Sequence, residues 1–148
     1  KNPARIQLIN DVINDKDILD LHLRGDCYLS LTRSEGWGLG AFNAAALGNP
    51  VIITGFGGQR EFLPQNLTYF VKYRLTHVED KMGRESYSKD QHWATPDINH
   101  ASHLLRRVYD NKNIARKKGS LLQKYITENF NGEKIAQQLI RVITRVVC

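Results

Sequence analysis

The fold is decided by the stretch Ser30-Leu-Thr-Arg-Ser-Glu-Gly-Trp-Gly-Leu-Gly-Ala-Phe-Asn-Ala-Ala-Ala-Leu-Gly-Asn-Pro-Val-Ile-Ile-Thr-Gly-Phe-Gly-Gly-Gln-Arg-Glu-Phe62. It predicts a buried strand over Cys27–Leu31, a glycine-rich turn, a helix of small residues over Leu39–Leu47 and a second strand over Val51–Thr54. Glycines between a strand end and a helix start let backbone N–H groups approach an anion, which the helix dipole also attracts. Ligands bind at this edge of an open α/β sheet, so the sequence predicts a phosphorylated ligand there.

The remaining chain continues the alternation of strands and helices. In chain order, the further expected elements before residue 74 are strand Arg5–Ile9, helix Asp17–Leu23, helix Gly58–Leu63 and strand Leu67–Tyr73. Asn14 or Asp15 is expected to cap the first of these helices. The polar segment Arg74–Thr95 lacks a clear period and predicts a long loop.

The C-terminal part is predicted to be helical. The segment Thr95-Pro96-Asp97 is expected to begin a helix, with an N-cap and with Pro96 at the first helical position, and Ile98, Ala101, Leu105 and Val108 lie on its apolar face. Helices Asn113–Asn129 and Ile135–Val147 follow, the last with Leu139, Val142, Ile143 and Val146 on its apolar face. The pattern therefore predicts a single α/β domain over residues 1–148, a Rossmann-like parallel sheet flanked by helices with a helical C-terminal tail.

The charge is positive and concentrated late in the chain. The 148 residues carry a net charge of +6. The basic residues of the C-terminal third are Arg106, Arg107, Lys112, Arg116, Lys117, Lys118 and Lys124. They form either a solvated helical face or a surface for peripheral contact with an anionic membrane. Nucleic acid is not expected, because aromatic residues do not interleave with the basic ones. With no apolar run near the ~20 residues of a membrane span, and no signal-peptide pattern, a cytoplasmic protein is expected.

Isolated reactive residues point to no further chemistry. Cys27 is expected to be a buried free thiol. His100 and His103 are one helical turn apart without a patterned third ligand, so no metal is expected. Trp37 is either a core residue or a wall of the ligand pocket.

The segment Glu35-Gly-Trp-Gly-Leu-Gly-Ala-Phe-Asn43, followed by Ala44-Ala-Ala-Leu-Gly-Asn-Pro-Val-Ile52, resembles the group 1 glycosyltransferases of GT-B fold. These are retaining enzymes that use nucleotide-sugar donors, and the resemblance is to their C-terminal, donor-binding domain. Glu35 stands at the first glutamate of the family pattern, and Asn43 stands where the family has a second glutamate. The continuation Gly55-Phe-Gly-Gly-Gln-Arg-Glu61 looks like the family's second glycine-rich turn.

The resemblance implies roles for individual residues. Glu35 is placed at the donor sugar as the catalytic carboxylate, and the amides around Gly38 and Leu39 face the diphosphate. Asn43 is placed at the ribose, where an amide accepts fewer hydrogen bonds than a carboxylate. The donor-binding set implied is Gly36, Trp37, Gly38, Leu39, Asn43, Thr54, Gly55, Gly57 and Gly58.

The resemblance also implies what the domain works with. The expected activity is transfer of a sugar, with retention, from a nucleoside-diphosphate sugar to an acceptor held by an N-terminal domain outside this chain. No cofactor or metal is expected. No residue aligns with the family's basic diphosphate clamp, so the chain is expected to be a partial domain that is inactive alone. Two alternatives stay open, a catalytically inactive nucleotide-sugar-binding module and half of a nucleotide-sugar 2-epimerase-like protein.

Overall fold

A small parallel sheet forms the centre of the chain. The computed structural model describes residues 4–79, 87–88 and 90–147. Strands β1 (Tyr28–Ser30), β2 (Val51–Thr54) and β3 (Tyr69–Val71) lie in the order β1-β2-β3, and both neighbouring pairs are parallel. The predicted α/β class with a parallel sheet is therefore confirmed, and so are the two strands of the decisive stretch.

Helices precede, connect and follow these strands. In chain order they are α1 (Asp15–Arg24), α2 (Leu39–Ala46), α3 (Gln59–Phe62), α4 (Ile98–Asp110), α5 (Lys112–Asn129) and α6 (Gly132–Val147). The side chain of Asn14 accepts a hydrogen bond from the Asp17 N–H, so Asn14 caps α1. The side chain of Asp97 accepts one from the His100 N–H and caps α4 in the same way. Asn14, one of the two residues expected to cap the first helix, is therefore its cap, whereas the helix start predicted with Pro96 as first helical residue lies before the observed start of α4.

The central strand β2 divides the core into two layers. Val51 and Ile53 pack with α2 and α5 on one face of the sheet, and Ile52 packs with α4 on the other. All three side chains are almost fully buried, which explains why this strand is an unbroken apolar run. The small residues of α2 allow close approach, and Gly119 of α5 rests against the Gly48 carbonyl.

The predicted loop over Arg74–Thr95 is wrong at both ends. Strands β4 (Tyr73–His77) and β5 (His92–Pro96) pair antiparallel in a separate two-stranded sheet. Strand β4 is largely solvent-exposed, and β5 is mostly half-buried with Ala94 fully buried; neither strand shows an apolar alternation, and their pairing rests on cross-strand contacts. Residues 80–86 and 89 of the predicted loop lie outside the described residues.

Two further local predictions also fail. Residues 5–9 form no strand, and Ile6 is 92% exposed, because β1 pairs only with β2 and no strand in the described part of the chain pairs with this segment. Pro96 is not the first helical residue; it is the last residue of β5, and α4 begins after Asp97. The predicted strand over Leu67–Tyr73 is shortened to β3.

The C-terminal helix does not bury the apolar face expected for it. Leu139, Val142, Ile143 and Val146 of α6 are all more than half exposed.

Cys27 is half-buried, and burial, together with the nearby Asp26 charge, raises the pKa of its thiol to about 11. None of the helices in the described part of the chain is long and apolar enough to cross a membrane.

Candidate functional site

Two glycine-rich turns meet at the carboxyl ends of β1 and β2. The Gly58 N–H donates a hydrogen bond to the Glu35 carbonyl at 3.0 Å. A methyl group placed on Gly58 would lie 1.7 Å from the Gly36 carbonyl oxygen, and one on Gly57 would lie 2.8 Å from the Glu35 carbonyl oxygen. The two backbones therefore touch in a way that only glycine permits, and they form one floor at the edge of the sheet where ligands of such folds bind.

A buried glutamine fastens the second turn. Gln59 is fully buried, and its side-chain amide donates to the Thr54 carbonyl at 3.0 Å and to the Phe56 carbonyl. Its Oε1 atom has no hydrogen-bond partner among the described residues and lies near Gly57 and Gly38. The amide bridges the carbonyls of two turn residues, so it sets the path of the backbone that contacts Glu35. Sequence reasoning overlooked Gln59 because a single glutamine after a glycine pair has no distinguishing spacing.

The amino end of α2 opens beside this floor. Gly38 precedes the helix with a left-handed backbone (φ 87°) and supplies no side-chain cap. The first amides of an α-helix have no partner within the helix, so here they are available to an anion, and the helix dipole favours negative charge. Leu39, the first helical residue, is 69% exposed. The geometry at Gly38 and Leu39 is thus suited to a phosphate group.

The Glu35 side chain is half-buried beside a hydroxyl-bearing strand. The pKa of the Tyr28 phenol is raised, mainly by burial, and the negative charge of the Glu35 carboxylate raises it further. The Tyr28 oxygen would lie 2.6 Å from a methyl group on Gly40, so the ring lies on the first turn of α2. Glu35, the start of α2 and Tyr28 are therefore neighbours. Tyr28 is a second residue of this region that the sequence pattern did not single out.

Trp37 packs in an aromatic cluster and remains partly exposed. It is 37% exposed, and its ring packs 4.9 Å from the Phe62 ring centroid. Phe42 and Phe130 lie within about 6 Å of it, between centroids. Trp37 thus belongs to an aromatic cluster, which supports the core role, and its exposed fraction leaves the role of pocket wall as a prediction.

The other predicted site residues are not equally accessible. Gly55 lies at the end of β2, where its N–H donates to the Val71 carbonyl at 3.0 Å. Thr54 is completely buried, so its side chain does not line an open surface. Asn43 is half-buried on α2, one helical turn beyond Leu39. These positions share the same edge of the sheet, but only Asn43 offers a partly exposed side chain.

Much of the basic C-terminal surface is engaged within the chain. The Lys118 ammonium donates to the Asn66 carbonyl at 2.6 Å and lies over the Tyr69 ring. Arg116 approaches Asp26 at 3.4 Å. Ion pairs with carboxylates one turn away hold Arg106 and Lys124. These contacts favour the solvated, structural interpretation of the charge run over a dedicated binding surface.

The histidines of the predicted pair do not converge on a metal-binding geometry in the described residues. His100 Nδ1 accepts the Lys72 N–H at 3.1 Å. Across the part of the chain that the structure describes, no group of three or more His, Cys, Asp or Glu side chains is placed to hold a metal ion.

Comparison with models of known protein families and with curated proteins finds no match to this chain. The geometry of the two turns, the open helix end and Glu35 is therefore the basis for a functional conclusion.

Proposed function

We propose that this chain binds a nucleoside-diphosphate sugar, as the donor-binding domain of a retaining glycosyltransferase. The observation that supports the proposal best is the contact of the Glu35–Gly36 backbone with Gly57–Gly58 beside the uncapped amino end of α2. This arrangement joins an anion-binding helix end to a carboxylate within one surface. A donor of this class carries a diphosphate and a polyhydroxyl ring, which are the two groups that such a surface complements.

Each part of the donor has a matching group on this surface. The diphosphate is assigned to the free amides at Gly38 and Leu39, which stabilise the charge that develops on the leaving group. The sugar hydroxyls are assigned to Glu35, since a carboxylate accepts strong hydrogen bonds from hydroxyl groups. The ribose is assigned to Asn43, whose amide has one acceptor oxygen and therefore binds the two hydroxyls less strongly than a glutamate.

The proposal extends to the architecture of a whole enzyme. The domain would act as half of a GT-B fold and deliver the sugar, with retention, to an acceptor held by a second domain. No metal or cofactor takes part in the proposed chemistry, because the helix dipole and backbone amides meet the charge of the diphosphate.

Calorimetric titration of the chain with UDP, GDP and ADP, and with one sugar conjugate of each, tests the proposal. We expect one nucleotide to bind and its sugar conjugate to bind more tightly. Glu35→Ala is expected to remove the extra affinity of the conjugate and leave the affinity for the nucleotide unchanged. Glu133→Ala, which removes an exposed carboxylate on α6, is the matched control. Failure of every nucleotide to bind, or a Glu35→Ala variant that binds the conjugate normally, contradicts the proposal.

Asn43 favours a second candidate, a module that binds a nucleotide sugar without transferring it. The amide in place of a carboxylate weakens the predicted hold on the ribose. Asn43→Glu distinguishes the candidates in the longer protein that contains this domain. Transfer by the unmodified protein supports the enzyme, whereas transfer that appears only after the substitution supports the inactive module.

The exposed face of α6 supports a peripheral contact with an anionic membrane as an additional property. Its apolar residues are exposed along one side of the helix, and Lys134, Arg141 and Arg145 project from another. Such a helix binds a bilayer surface through apolar burial and attraction to anionic lipid. We expect co-sedimentation with phosphatidylserine vesicles that weakens with salt and is lost in the Arg141→Glu, Arg145→Glu double variant. Equal binding to neutral vesicles contradicts this candidate.

A further inference from the structure

The β4–β5 hairpin is attached directly to the segment that ends in Glu35. The Ala94 N–H of β5 donates to the Arg33 carbonyl at 3.0 Å. The Arg33 guanidinium lies over the Trp93 ring, 4.4 Å from its centroid. A main-chain bond and a cation–π contact therefore fix β5 beside the first glycine-rich turn, two residues before Glu35.

The hairpin is well defined by its own cross-strand contacts. The Thr76 and Thr95 hydroxyls are 2.7 Å apart, and the His77 and His92 rings contact each other across the strands, tilted by 41° with centroids 4.1 Å apart. The Val78 N–H continues the ladder by donating to the Gln91 carbonyl at 2.9 Å. The residues of β5 that face the turn are thus held on a paired strand, which is a suitable scaffold for a binding site.

A cavity lies between the hairpin and the turn. Its volume is about 530 Å³, and its described lining consists of Ser34, Val78, Tyr87, Gln91, His92 and Trp93. This volume falls within the range of about 300–1,000 Å³ that is usual for small-molecule sites. Ser34 immediately precedes Glu35 in the chain, so the cavity adjoins the proposed donor site.

The chemistry of the lining selects a class of ligand. Tyr87 and Trp93 offer aromatic surface, with their rings at 62° and centroids 6.4 Å apart. Ser34, Gln91 and His92 add a hydroxyl, an amide and an imidazole. The described lining residues include no Lys, Arg, Asp or Glu, and the Arg33 guanidinium lies against the Trp93 ring beside them; the lining itself therefore offers aromatic and neutral polar groups. A ring with apolar C–H faces and several hydroxyl groups matches both the aromatic surface and the neutral polar groups.

We propose that this cavity is a carbohydrate subsite that holds a neutral sugar ring next to Glu35. The inference deepens the proposed function and rests on it. The ring comes either from the sugar of the donor or from a glycan acceptor; both present the same chemistry to the hairpin. Ser34, Gln91 and Trp93 are the residues assigned to its recognition.

Fluorine NMR of the chain labelled with 5-fluorotryptophan tests the subsite, because the sequence contains two tryptophans, Trp37 and Trp93. Trp37→Phe and Trp93→Phe variants assign the two resonances. The probes are methyl α-glucopyranoside, methyl α-mannopyranoside and maltose, and separately UDP, GDP, UDP-glucose and GDP-mannose. Trp37 reports on the glycine-rich turn, and Trp93 reports on the cavity.

We expect a saturable shift of the Trp93 resonance with at least one sugar-containing probe. A shift with a free glycoside indicates an acceptor ring, and a shift with a nucleotide sugar but not its nucleotide indicates the donor ring. If nucleotides shift Trp37 while no sugar shifts Trp93, the subsite is overturned and the proposed function stands. If a glycoside shifts Trp93 while no nucleotide binds, the carbohydrate site stands and the donor site is overturned. If no probe shifts either tryptophan resonance, both the carbohydrate subsite and the proposed donor site are overturned.

Matched serine variants link the shift to the lining. Ser34→Ala removes one hydroxyl from the cavity, and Ser120→Ala removes one from α5, where it donates to the Arg116 carbonyl instead. Loss of one hydrogen bond predicts an affinity for the active probe that is about 2- to 10-fold weaker in Ser34→Ala and unchanged in Ser120→Ala. Equal affinities in the two variants would remove Ser34 from the site and contradict the assigned lining.

Discussion

Gly58→Ala tests whether contact between the two glycine-rich turns is essential to the site. The added methyl carbon would lie 1.7 Å from the Gly36 carbonyl oxygen and 2.7 Å from the carbonyl carbon. Carbon and oxygen atoms normally approach to about 3.3 Å, so the turns must separate by roughly 1.5 Å. Gly58 has an ordinary helical backbone (φ −62°), so alanine is not strained there in itself. The whole loss in the free energy of unfolding therefore comes from the collision of the added methyl group with the Gly36 backbone.

The expected cost follows from this overlap. Overpacking of a well-packed region lowers the free energy of unfolding by about 1–3 kcal/mol, and a backbone obstacle places Gly58→Ala in the upper part of that range. For a chain of this size, about 2–3 kcal/mol corresponds to a fall in Tm of roughly 4–12 °C. Separation of the turns also moves Glu35 relative to the start of α2, so the affinity for a nucleotide sugar is expected to fall beyond the loss of stability.

Urea unfolding, followed by tryptophan fluorescence, measures the free energy of unfolding, and calorimetry at a temperature where the variant is folded measures binding. Gly36→Ala is the matched control, because none of the described residues lies within 4 Å of the methyl position there. We expect its free energy of unfolding to stay within about 0.5 kcal/mol of the unmodified chain. If Gly58→Ala is as stable as Gly36→Ala and binds equally well, the argument that the two turns form one floor is refuted.

Three further predictions test the scaffold around the site. The folded chain holds the Cys27 thiol proton more tightly than the unfolded chain, so the free energy of unfolding should fall as pH rises from about 9 towards the folded pKa of about 11. Urea unfolding at a series of alkaline pH values should show a smaller fall in the Cys27→Ala variant. An unchanged dependence of the free energy of unfolding on pH in that variant would contradict the prediction. Lys118→Ala should lower the free energy of unfolding by about 1 kcal/mol, because it removes the hydrogen bond to the Asn66 carbonyl, whereas exposed Lys117→Ala should change it little; equal effects on the urea midpoint would refute the contact. Gly119→Ala places a methyl group 2.1 Å from a backbone carbonyl oxygen between α2 and α5, so the Tm should fall by several degrees, and an unchanged Tm would show that the two helices pack less closely.

Patterns that act over a few residues made much of the fold predictable. The run Val51–Thr54 has the β-branched composition of a strand buried on both faces, and the structure places helices on both sides of it. Asn14, one of the two caps expected for α1, marks the start of that helix through a bond to the Asp17 N–H, three positions away. Such signals need no knowledge of distant parts of the chain, and for that reason the sequence located them.

Elements whose stability depends on distant partners were not predictable in the same way. Strand β4 is mostly exposed and β5 mostly half-buried, and neither has an apolar run; their pairing depends on contacts between residues such as Thr76 and Thr95, which are far apart in sequence. The apolar segment at residues 5–9 shows the converse, since its alternating pattern forms no strand where no strand among the described residues hydrogen-bonds to it.

The candidate site also has features that local sequence determines and features that depend on contacts between distant residues. The sequence by itself determined a strand, a glycine-rich turn and a helix start that carry Glu35, Gly38 and Asn43, because the glycines and the small-residue helix act locally. Only the tertiary structure decided that the turn at Gly57–Gly58 touches Glu35, that Gln59 fastens that turn from within the core, and that the β4–β5 hairpin encloses a cavity beside Ser34. Those contacts join residues from separate strands and are set by the parallel order of the sheet, which no local pattern encodes.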